Sequence, residues 1–568
     1  MFSLLNPNKY EQQFTDKETH EIMAKTMEFF ENKGLASIKE DDQLSRWYED
    51  FLQFIGKEQI FAKLLTPSGY GDSDSRFDLS RVCRYNEILG FYSFAYQYCY
   101  QVTILGLGPI WMGANEAIKH KTAQLLKDGA IFAFGLSERE HGADLYSNEM
   151  KLYPNGDGTY RAEGNKYYIG NANKAALVAT AGKYSDTGDY VFFVVDSQHR
   201  NYKLVKKIST AGGRAAYVGE YELINYPITV DDILSSGPQA WDSSLSTINI
   251  GKVQLGWCNI GVCTHALYEA VTHASNRMLY GHPVTDFPHI RKIFSESFAR
   301  LLGMKFYASR SLDYFRSASD DDRRYLLFNP IQKMMVTTQG MKVVDLLMDV
   351  IAAKGYEQDT YFESALRDIG MPARLEGTPH VNIAQIIKFV QNYFFDPVQY
   401  PEVNKRDDPA DDSYLFRQKT GMVSSVRFPN YQMAYEDLAT PNIKVFLQQI
   451  DLFRDFFMEV ATIEAQRKNA DYMLALGEMF TLIVYAQLIV EECKIQSIAE
   501  ILVDQIFGVL VKDFAKCALT QISNYENSNN QVIYLREMMK TPVIDAANNE
   551  EIWTNWIAPL NGAYEMNR

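Results

Sequence analysis

Apolar residues recur at every third or fourth position through the first 130 residues, a spacing typical of amphipathic helices. One such face covers residues 47–55, and a second helical stretch is predicted from about Asp78 through Tyr100. Between them, the proline and glycines of residues 66–72 predict a loop. We therefore predict an N-terminal helical domain over residues 1–130.

Between residues 131 and 240 the pattern changes to short runs rich in β-branched and aromatic residues, separated by clusters of Gly, Asn and Asp. This combination predicts strands joined by turns. The runs cover residues 177–181, 190–195, 202–207 and 217–223. We interpret the region as a middle domain, residues 131–240, built on an antiparallel, β-barrel-like sheet.

Helical spacing returns after residue 240 and predicts a four-helix-bundle domain over residues 241–395. Within it, Asn329 and Pro330 resemble a helix cap followed by the first residue of a long helix that runs to Ile351. Another helix is predicted after Thr378.

Residues 396–440 have little periodicity and contain prolines and a charged run, so we predict a linker that follows the surface. Residues 441–568 are helical again and form a predicted additional C-terminal helical domain. An apolar stripe over residues 445–460 favours a helix that faces a protein core, with contact to a partner or membrane as the alternative. The predicted fold class is thus a multidomain α+β protein.

The chain is acidic, with 71 Asp and Glu against 56 Lys and Arg in 568 residues, a net charge of −15. Such a chain repels polyanions, so no nucleic acid is expected as a partner. The most apolar stretch, residues 479–490, is shorter than the roughly 18–20 residues that span a bilayer. No secretory signal pattern is visible at the start. We expect a soluble, cytoplasmic protein, with peripheral membrane contact left open.

Several common chemistries find no support in the sequence. The six cysteines contain no C-x-x-C pair, so we expect buried free thiols in a reducing compartment. Gly106 and Gly108 form half of a dinucleotide fingerprint, but Trp111 occupies the next glycine position. No P-loop, H-E-x-x-H or G-x-S-x-G motif occurs, and the dispersed histidines predict no metal site.

Two stretches carry the functional signal. Residues 132–144, Phe-Ala-Phe-Gly-Leu-Ser-Glu-Arg-Glu-His-Gly-Ala-Asp, offer backbone donors and the hydroxyl of Ser137 at the entry to the β region. Residues 163–175 place the aromatic ring of Tyr168 beside a predicted turn at Gly170. A planar heteroaromatic cofactor fits between elements of this kind, although aromatic–glycine turns are common in β domains.

These stretches resemble motifs of the acyl-CoA dehydrogenase family of FAD enzymes. That family has the patterns A-x-T-E-P-x-x-G-S-D, N-G-x-K-x-W-I-T-N, R-x-x-F-G-x-x-(L/V) and E-G-T in this order. The counterparts here are residues 133–144, 164–171, 277–284 and 375–378. The resemblance covers roughly residues 40–395 and agrees with the helical–β–helical order predicted above. We therefore identify the chain as a divergent member with an additional C-terminal helical segment.

The resemblance implies that FAD lies between the β domain and the second helical domain. Ser137 would hydrogen-bond the flavin, with Phe134 and Leu136 nearby, and Tyr168 would pack on it where the family usually has Trp. Arg277 matches an arginine that reaches the FAD pyrophosphate of a neighbouring subunit, which implies a homodimer or homotetramer. The remaining cofactor-binding positions implied by the resemblance are Gly142, Gly170 and Thr378.

Glu376 matches the catalytic base of the family. A carboxylate in an enclosed apolar site has a pKa raised toward neutrality, and it can remove the α-proton of a thioester. In the family, the β-hydrogen then leaves as hydride to flavin N5, giving a 2-enoyl-CoA, and electrons pass to an electron-transfer flavoprotein. Some members carry the base at the position of Gly251, which offers no carboxylate here. The implied substrate-binding positions are Ala143, Lys252 and Gly377.

The sequence also departs from the family at the cofactor and CoA positions. Ala143 and Gly170 each replace a hydroxyl residue, and Pro288 replaces a glutamine that contacts FAD. Lys252 replaces an arginine, keeping the charge but losing the two-pronged geometry. The Q-x-x-G-G segment aligns with residues 349–353, where Asp349 brings a carboxylate toward a pyrophosphate and Ala352 and Ala353 add methyl groups. These departures predict that the catalytic base is retained and that the contacts to FAD and CoA differ from those of the family.

Two alternative functions stay open at this point. An acyl-CoA oxidase would use oxygen as the acceptor at the same flavin. A DNA-binding flavoprotein of the same superfamily would need a basic face in the C-terminal helices, whereas residues 548–551 are an example of an acidic run there. In the family, C-terminal helices of this kind mediate subunit contact or membrane association.

Overall fold

The computed structural model describes residues 3–12, 16–418, 423–460 and 462–567. The chain forms two compact units, and it passes between them several times along the sequence. The sheet unit comprises Glu11–Cys258, Asp407–Thr420 and Met566–Arg568. The helical unit comprises Met1–Tyr10, Asn259–Arg406 and Gly421–Glu565.

The sheet unit begins with α-helices, as predicted for the N-terminal region. They are α1 (Lys17–Gln43), α2 (Glu49–Lys57), α3 (Ile60–Leu65), α4 (Leu79–Tyr92), α5 (Phe94–Met112) and α6 (Glu116–Lys127). The predicted helix from Asp78 to Tyr100 is in fact two helices, because Ser93 has an extended backbone and its side chain caps α5 by accepting the N–H of Ala95. Gly106 lies inside α5 and not in a strand–turn–helix unit.

The strands follow in the predicted region. They are β1 (Phe132–Gly135), β2 (Lys151–Pro154), β3 (Tyr160–Gly170), β4 (Leu177–Tyr184), β5 (Tyr190–Val195), β6 (Tyr202–Lys207), β7 (Val218–Ile228) and β8 (Ile233–Ser236). Each of the predicted runs corresponds to a strand. The core between them is apolar and aromatic, with Met150, Phe193 and Tyr221 fully buried.

Among the described residues these strands form one eight-stranded sheet in the order β6-β7-β3-β2-β4-β5-β8, with β1 also paired to β4. Both β1 and β2 run parallel to β4. The short β1 and β2 therefore share one edge of β4, while β5 covers the other. The wholly antiparallel arrangement that we predicted is wrong, and the barrel-like closure is not confirmed, because the end strands β6 and β8 do not pair within the described chain.

A long helix, α7 (Pro238–Asn276), passes from the sheet unit to the helical unit after Cys258. A short hairpin follows it, β9 (Met278–Leu279) with β10 (His282–Pro283). The further helices are α8 (Pro288–Arg316), α9 (Tyr325–Ile331), α10 (Thr337–Ile351), α11 (Tyr361–Asp368), α12 (Pro379–Ile386), α13 (Val390–Phe394), α14 (Pro441–Glu459), α15 (Glu464–Lys468), α16 (Ala470–Ile495), α17 (Glu500–Ile522), α18 (Asn529–Met538) and α19 (Ala546–Ile552).

The helix predicted to open at Asn329 starts earlier. α9 begins at Tyr325, so Asn329 and Pro330 lie inside the helix and the predicted cap is wrong. Proline has no backbone N–H to donate, and a π-helical segment, Gln332–Val336, follows it before α10. The helix predicted after Thr378 is confirmed as α12, with the Thr378 Oγ1 accepting the N–H of Val381 at 3.4 Å.

The C-terminal helices belong to the same unit as α8, which packs against α10, α16 and α17. An additional C-terminal domain, as predicted, is therefore not confirmed. Arg300 on α8 and Asp513 on α17 form a buried ion pair at 2.6 Å. Burial by itself would raise the pKa of Asp513, but the hydrogen bonds and charge of Arg300 outweigh it and hold that pKa well below its usual range.

The apolar stripe on α14 faces the core, since Ile450, Phe453 and Phe456 are fully buried. α16 is longer than its most apolar stretch indicated. It is long and apolar enough to cross a bilayer, with a mean hydropathy of 1.9, and 78% of that window is buried within the protein. All six cysteines are free thiols, and five of them are buried, as predicted.

Parts of the predicted surface linker, residues 396–440, are instead buried. In the sheet unit, Asp412 is fully buried and accepts the N–H of Leu79 at 2.8 Å, and the Phe416 ring contacts Phe77. In the helical unit, Phe428 packs against the ring of Tyr393. The charged residues of this segment indicated a surface linker, so the burial of these side chains was not predicted.

Candidate functional site

The loop after β1 is fixed to β3 by backbone and side-chain hydrogen bonds. The Ser137 Oγ donates to the carbonyl oxygen of Tyr167 at 2.7 Å, and the Tyr167 N–H donates back to the Ser137 carbonyl oxygen at 3.0 Å. The Leu136 carbonyl accepts the Lys166 Nζ at 3.0 Å. Both motifs singled out in the sequence are thus held together within the sheet unit.

A buried ion pair lies beneath this loop. The Lys166 Nζ is fully buried and 2.9 Å from Glu138 Oε1. Burial lowers the pKa of Lys166 to about 8, and the charge of Glu138 works against that shift. Glu138, His141 and Glu149 bring ligand atoms within 4.8 Å of one another. Because Lys166 already neutralises Glu138, we assign no metal site to them.

Tyr168 stands at an irregularity of β3. The pairing of β3 with β7 shifts register between Tyr167 and Ile169, and Tyr168 adopts a left-handed backbone with φ of +63°. Its side chain is 61% exposed, whereas the neighbouring Tyr167 ring is covered by the guanidinium of Arg139 at 4.7 Å. An exposed aromatic ring on an unfavourable backbone is typical of a binding position.

Gly170 does not form the predicted turn. It is the last residue of β3 and is buried, and a Cβ there would lie 2.7 Å from Val102 and 2.9 Å from Tyr98, both on α5. No side chain, and so no hydroxyl, fits at this position. Asn171, the next residue, instead ties the strand end to β1 through its amide, which donates to the Phe132 carbonyl oxygen at 3.0 Å.

The other predicted residues of the sheet unit differ in accessibility. Phe134 is half-buried and stacks on Phe192, with ring centres 5.9 Å apart. Gly142 and Ala143 are exposed in the loop before β2. Lys252, predicted to bind substrate, is only 4% exposed on α7, so its ammonium is not a surface cation.

In the helical unit, Glu376 lies in a turn with two consecutive left-handed residues. Its φ is +51° and that of Gly377 is +93°. The Gly377 carbonyl accepts the amide of Asn382 at 3.1 Å and the Lys333 Nζ, and Lys333 also donates to the Ala373 carbonyl at 2.7 Å. Glu376 itself is half-buried. The roles of Glu376, Gly377 and Thr378 stay predictions, and the sequence did not indicate the two buried donors, Lys333 and Asn382, that bind this turn.

Arg277 follows the end of α7 at the start of the hairpin. It is exposed, and its guanidinium makes no hydrogen bond to the residues that the structure describes. The neighbouring Tyr280 is 94% exposed. Burial, followed by the charges of Arg277 and Lys354, lowers the pKa of His273 one turn earlier.

The departures from the motif have distinct structural settings. Pro288 is the first residue of α8, where a missing N–H costs nothing. Asp349 is exposed on α10. Ala352 has φ of +56° and ψ of −141°, a conformation that side-chain-bearing residues rarely adopt and glycine adopts readily. The backbone at residue 352 therefore has a conformation that favours glycine, although the residue is alanine.

A cavity of about 310 Å³ lies elsewhere in the sheet unit. Its lining includes two cations, Lys207 and Arg214, and the hydroxyls of Ser45, Ser209 and Thr210. None of the predicted site residues lines it.

The chain is similar to several known proteins. Residues 239–391 match the family model for the acyl-CoA dehydrogenase C-terminal domain. The chain is 22% identical over 280 residues to the short-chain-specific acyl-CoA dehydrogenase of Megasphaera elsdenii, covering 48% of this chain and 72% of that protein. It is 24% identical over 378 residues to the very-long-chain-specific mitochondrial enzyme of Rattus norvegicus, covering 63% and 55%. The chain is therefore similar to acyl-CoA dehydrogenases, through the family model over residues 239–391 and through both relatives.

The similarity in fold extends over nearly the whole chain. A crystal structure of an acyl-CoA dehydrogenase from Bacillus anthracis, complexed with FAD, superposes with a TM-score of 0.76 at 16% identity. The superposition covers 98% of this chain and 97% of that one. The C-terminal helices therefore have counterparts in a solved structure.

Proposed function

We propose that this chain is an FAD-dependent oxidoreductase of the acyl-CoA dehydrogenase family that converts a fatty acyl-CoA to its 2-enoyl-CoA. The observation that carries the proposal is the setting of Glu376. It lies in the region matched by the family model, on a left-handed turn held by buried donors. A catalytic base has to be held in a defined position, and these contacts hold the backbone that carries the Glu376 side chain.

FAD is the cofactor that the proposal requires, and the exposed residues of the sheet unit fit such a group. The solvent-facing ring of Tyr168 offers a surface for a flat heteroaromatic ring. The Ser137 hydroxyl gives its proton to Tyr167, so its oxygen remains able to accept a hydrogen bond. Phe134, Leu136 and the exposed backbone at Gly142 complete the proposed contact. When bound, FAD supplies the acceptor for the hydride.

Other predicted cofactor positions fit less directly. Gly170 is buried against α5 and offers no group to FAD. Thr378 uses its hydroxyl to cap α12. Arg277 is exposed and free to bind an anion, which agrees with a proposed role toward the cofactor of a second subunit in a homodimer or homotetramer.

The proposed chemistry of this chain begins with Glu376. Its carboxylate removes the α-proton of the thioester, while its own backbone N–H, by analogy with the family, donates to the thioester carbonyl oxygen and stabilises the charge that develops there. Ala143, Lys252 and Gly377 stay proposals as substrate contacts. An electron-transfer flavoprotein is the proposed electron acceptor, and peripheral membrane contact stays a prediction.

The test is the visible spectrum of purified protein during addition of a panel of acyl-CoAs. We expect a bound flavin that bleaches with at least one chain length. Glu376→Gln should retain the flavin and lose bleaching by at least a thousandfold. The matched control is Glu357→Gln, an exposed glutamate of the same unit paired with Lys354, which should bleach normally. A protein that takes up no flavin, or a Glu376→Gln variant that bleaches normally, would contradict the proposal.

A further inference from the structure

Lys333 is a fully buried lysine that sits opposite the turn containing Glu376. Its Nζ donates to the carbonyl oxygen of Ala373 at 2.7 Å and to that of Gly377. These two acceptors lie three residues before Glu376 and one residue after it. One ammonium group therefore bridges the two ends of the segment that presents the carboxylate.

The helix beneath Lys333 is irregular at this point. Lys333 lies in the π-helical segment Gln332–Val336, and segments of this kind are frequent at functional sites. The Thr337 Oγ1 donates to the Lys333 carbonyl oxygen at 2.5 Å, which anchors the backbone of the lysine. The irregularity thus belongs to the stretch of helix from which Lys333 reaches the turn.

A second buried donor ties the same two segments together. The amide of Asn259 donates to the Thr337 carbonyl at 3.1 Å and to the Ile369 carbonyl at 3.2 Å. Ile369 lies at the start of the stretch that leads to Glu376. Asn259 therefore joins the residue that follows the π-helical segment to a residue seven positions before Glu376, whereas Lys333 joins the π-helical segment to the turn itself.

We propose that Lys333 is a positioning residue for the catalytic base, and this rests on the proposed function in that Glu376 is that base. Left-handed backbone is unfavourable at a residue with a side chain, so Glu376 needs external contacts to hold it. The ammonium supplies them by binding the carbonyls on both sides. It thereby fixes the direction of the Glu376 carboxylate and of its backbone N–H.

A lysine suits this position because of its shape and charge. An ammonium has three donors around one small centre and can bind two converging carbonyls, whereas a guanidinium is larger and planar. Burying a charge is costly unless it is well hydrogen-bonded. A charge kept here against that cost points to a role that a neutral side chain would not fill.

The first test measures the turn itself and does not depend on activity. Hydrogen exchange is compared in Lys333→Met and in Lys305→Met, a control at a second buried lysine of the same unit whose Nζ donates to the Ser3 carbonyl at 3.1 Å. We expect the amides of residues 374–378 to exchange at least tenfold faster in Lys333→Met and to be unchanged in the control. Equal exchange in the two variants overturns the proposal.

The second test measures proton removal in the flavin-loaded protein. Lys333→Met should slow bleaching by acyl-CoA at least tenfold, without changing flavin content or the dissociation constant of a non-reactive acyl-CoA analogue. The kinetic isotope effect with α-deuterated substrate should rise, because proton transfer becomes more rate-limiting. Lys305→Met should stay within twofold of wild type in both measurements. Wild-type bleaching in Lys333→Met overturns the proposal.

A third variant covers the case in which Lys333→Met does not fold. Lys333→Gln keeps one donor in the same cavity, and we expect exchange and bleaching rates between those of wild type and tenfold impairment. Rates equal to wild type overturn the proposal. If the wild-type protein itself never bleaches, the proposed function fails, and the exchange measurement still decides the role of Lys333 in the turn.

Discussion

The hydroxyl of Ser137 donates to the carbonyl oxygen of Tyr167 at 2.7 Å, one residue before the exposed ring of Tyr168. This bond joins two of the four sequence stretches that carried the family resemblance. It also commits the hydroxyl proton to the protein backbone, so Ser137 acts toward any bound cofactor as an acceptor. The other groups that can contact a bound cofactor are then the Tyr168 ring and the exposed backbone of the loop.

We therefore expect Tyr168→Ala to weaken FAD binding by about two- to tenfold, because an aromatic contact contributes about 0.5–1.5 kcal/mol. Tyr168→Trp should keep or improve the affinity. Flavin fluorescence titration of the apoprotein measures both. Tyr525→Ala, at another highly exposed tyrosine, should leave the affinity unchanged. Equal affinity in Tyr168→Ala and wild type would show that the ring does not contact the cofactor.

Ala352→Gly should stabilise the protein. The φ and ψ of Ala352 are +56° and −141°, and this conformation costs a residue with a side chain about 1–3 kcal/mol. Glycine relieves that strain and loses part of the gain through its greater freedom when unfolded, so we expect a net gain of about 1 kcal/mol. The thermal unfolding midpoint reports it. Ala353→Gly, beside it and without a positive φ, should lower the midpoint. If Ala352→Gly lowered the midpoint and Ala353→Gly raised it, the backbone of Ala352 would not be strained.

Asp513→Asn should destabilise the helical unit by about 3 kcal/mol, because it removes the more deeply buried of the two carboxylates that pair with Arg300 and leaves only Glu296, at 2.6 Å. Arg300 and Asp513 join α8 to the C-terminal helices, so the loss should appear as earlier unfolding of α16 and α17 in hydrogen exchange. The control is Asp451→Asn, at a half-exposed ion pair with Arg454, which should cost well under about 1 kcal/mol. If both substitutions lowered the free energy of unfolding equally, the buried Arg300–Asp513 pair would contribute no more than the exposed pair.

Lys166 should make stability rise with pH above neutrality. Its pKa is about 8 in the folded protein, lowered by burial from an ordinary value of 10.5. Between these two values the unfolded chain holds a proton that the folded chain has released, so the folded state gains up to about 1.4 kcal/mol per pH unit. Below pH 8 the contribution is constant.

The measurement is the difference in unfolding midpoint between wild type and Lys166→Met at pH values from 7 to 10. The difference should be flat up to about pH 8 and then grow in favour of wild type. Lys174→Met, at an exposed lysine paired with Glu49, serves as the control and should give a flat profile. A flat profile for Lys166→Met would mean that its ammonium is not destabilised by burial.

Much of the sheet region could be predicted because local chemistry determines it. Runs rich in β-branched and aromatic residues, separated by turn residues, marked β5 and β6 correctly. The parallel pairing of β1 and β2 with β4 was not predictable, because it depends on contacts between residues distant in sequence. The helix start predicted at Asn329 and Pro330 was wrong. Their local pattern is that of a helix start, but α9 already begins at Tyr325.

A sequence motif indicates a candidate residue, but it does not indicate the partners that folding brings to that residue. The motif singles out Glu376 as the candidate base, and its role stays a prediction. Lys333 and Asn382 could not, since nothing local distinguishes a lysine or asparagine that donates to a distant carbonyl from one that faces solvent. Gly170 shows the opposite error, because a glycine that looks like a turn is required by the close approach of α5.

The division of the sheet unit along the chain has a consequence for biosynthesis. The N–H of Leu79 at the start of α4 needs Asp412, and the N–H of Leu35 is bound by the Asn567 carbonyl at 2.7 Å. These acceptors leave the ribosome hundreds of residues after the donors. The sheet unit therefore cannot be completed until those distant segments have been synthesised, and its earlier part stays incomplete, with exposed apolar surface, during that interval.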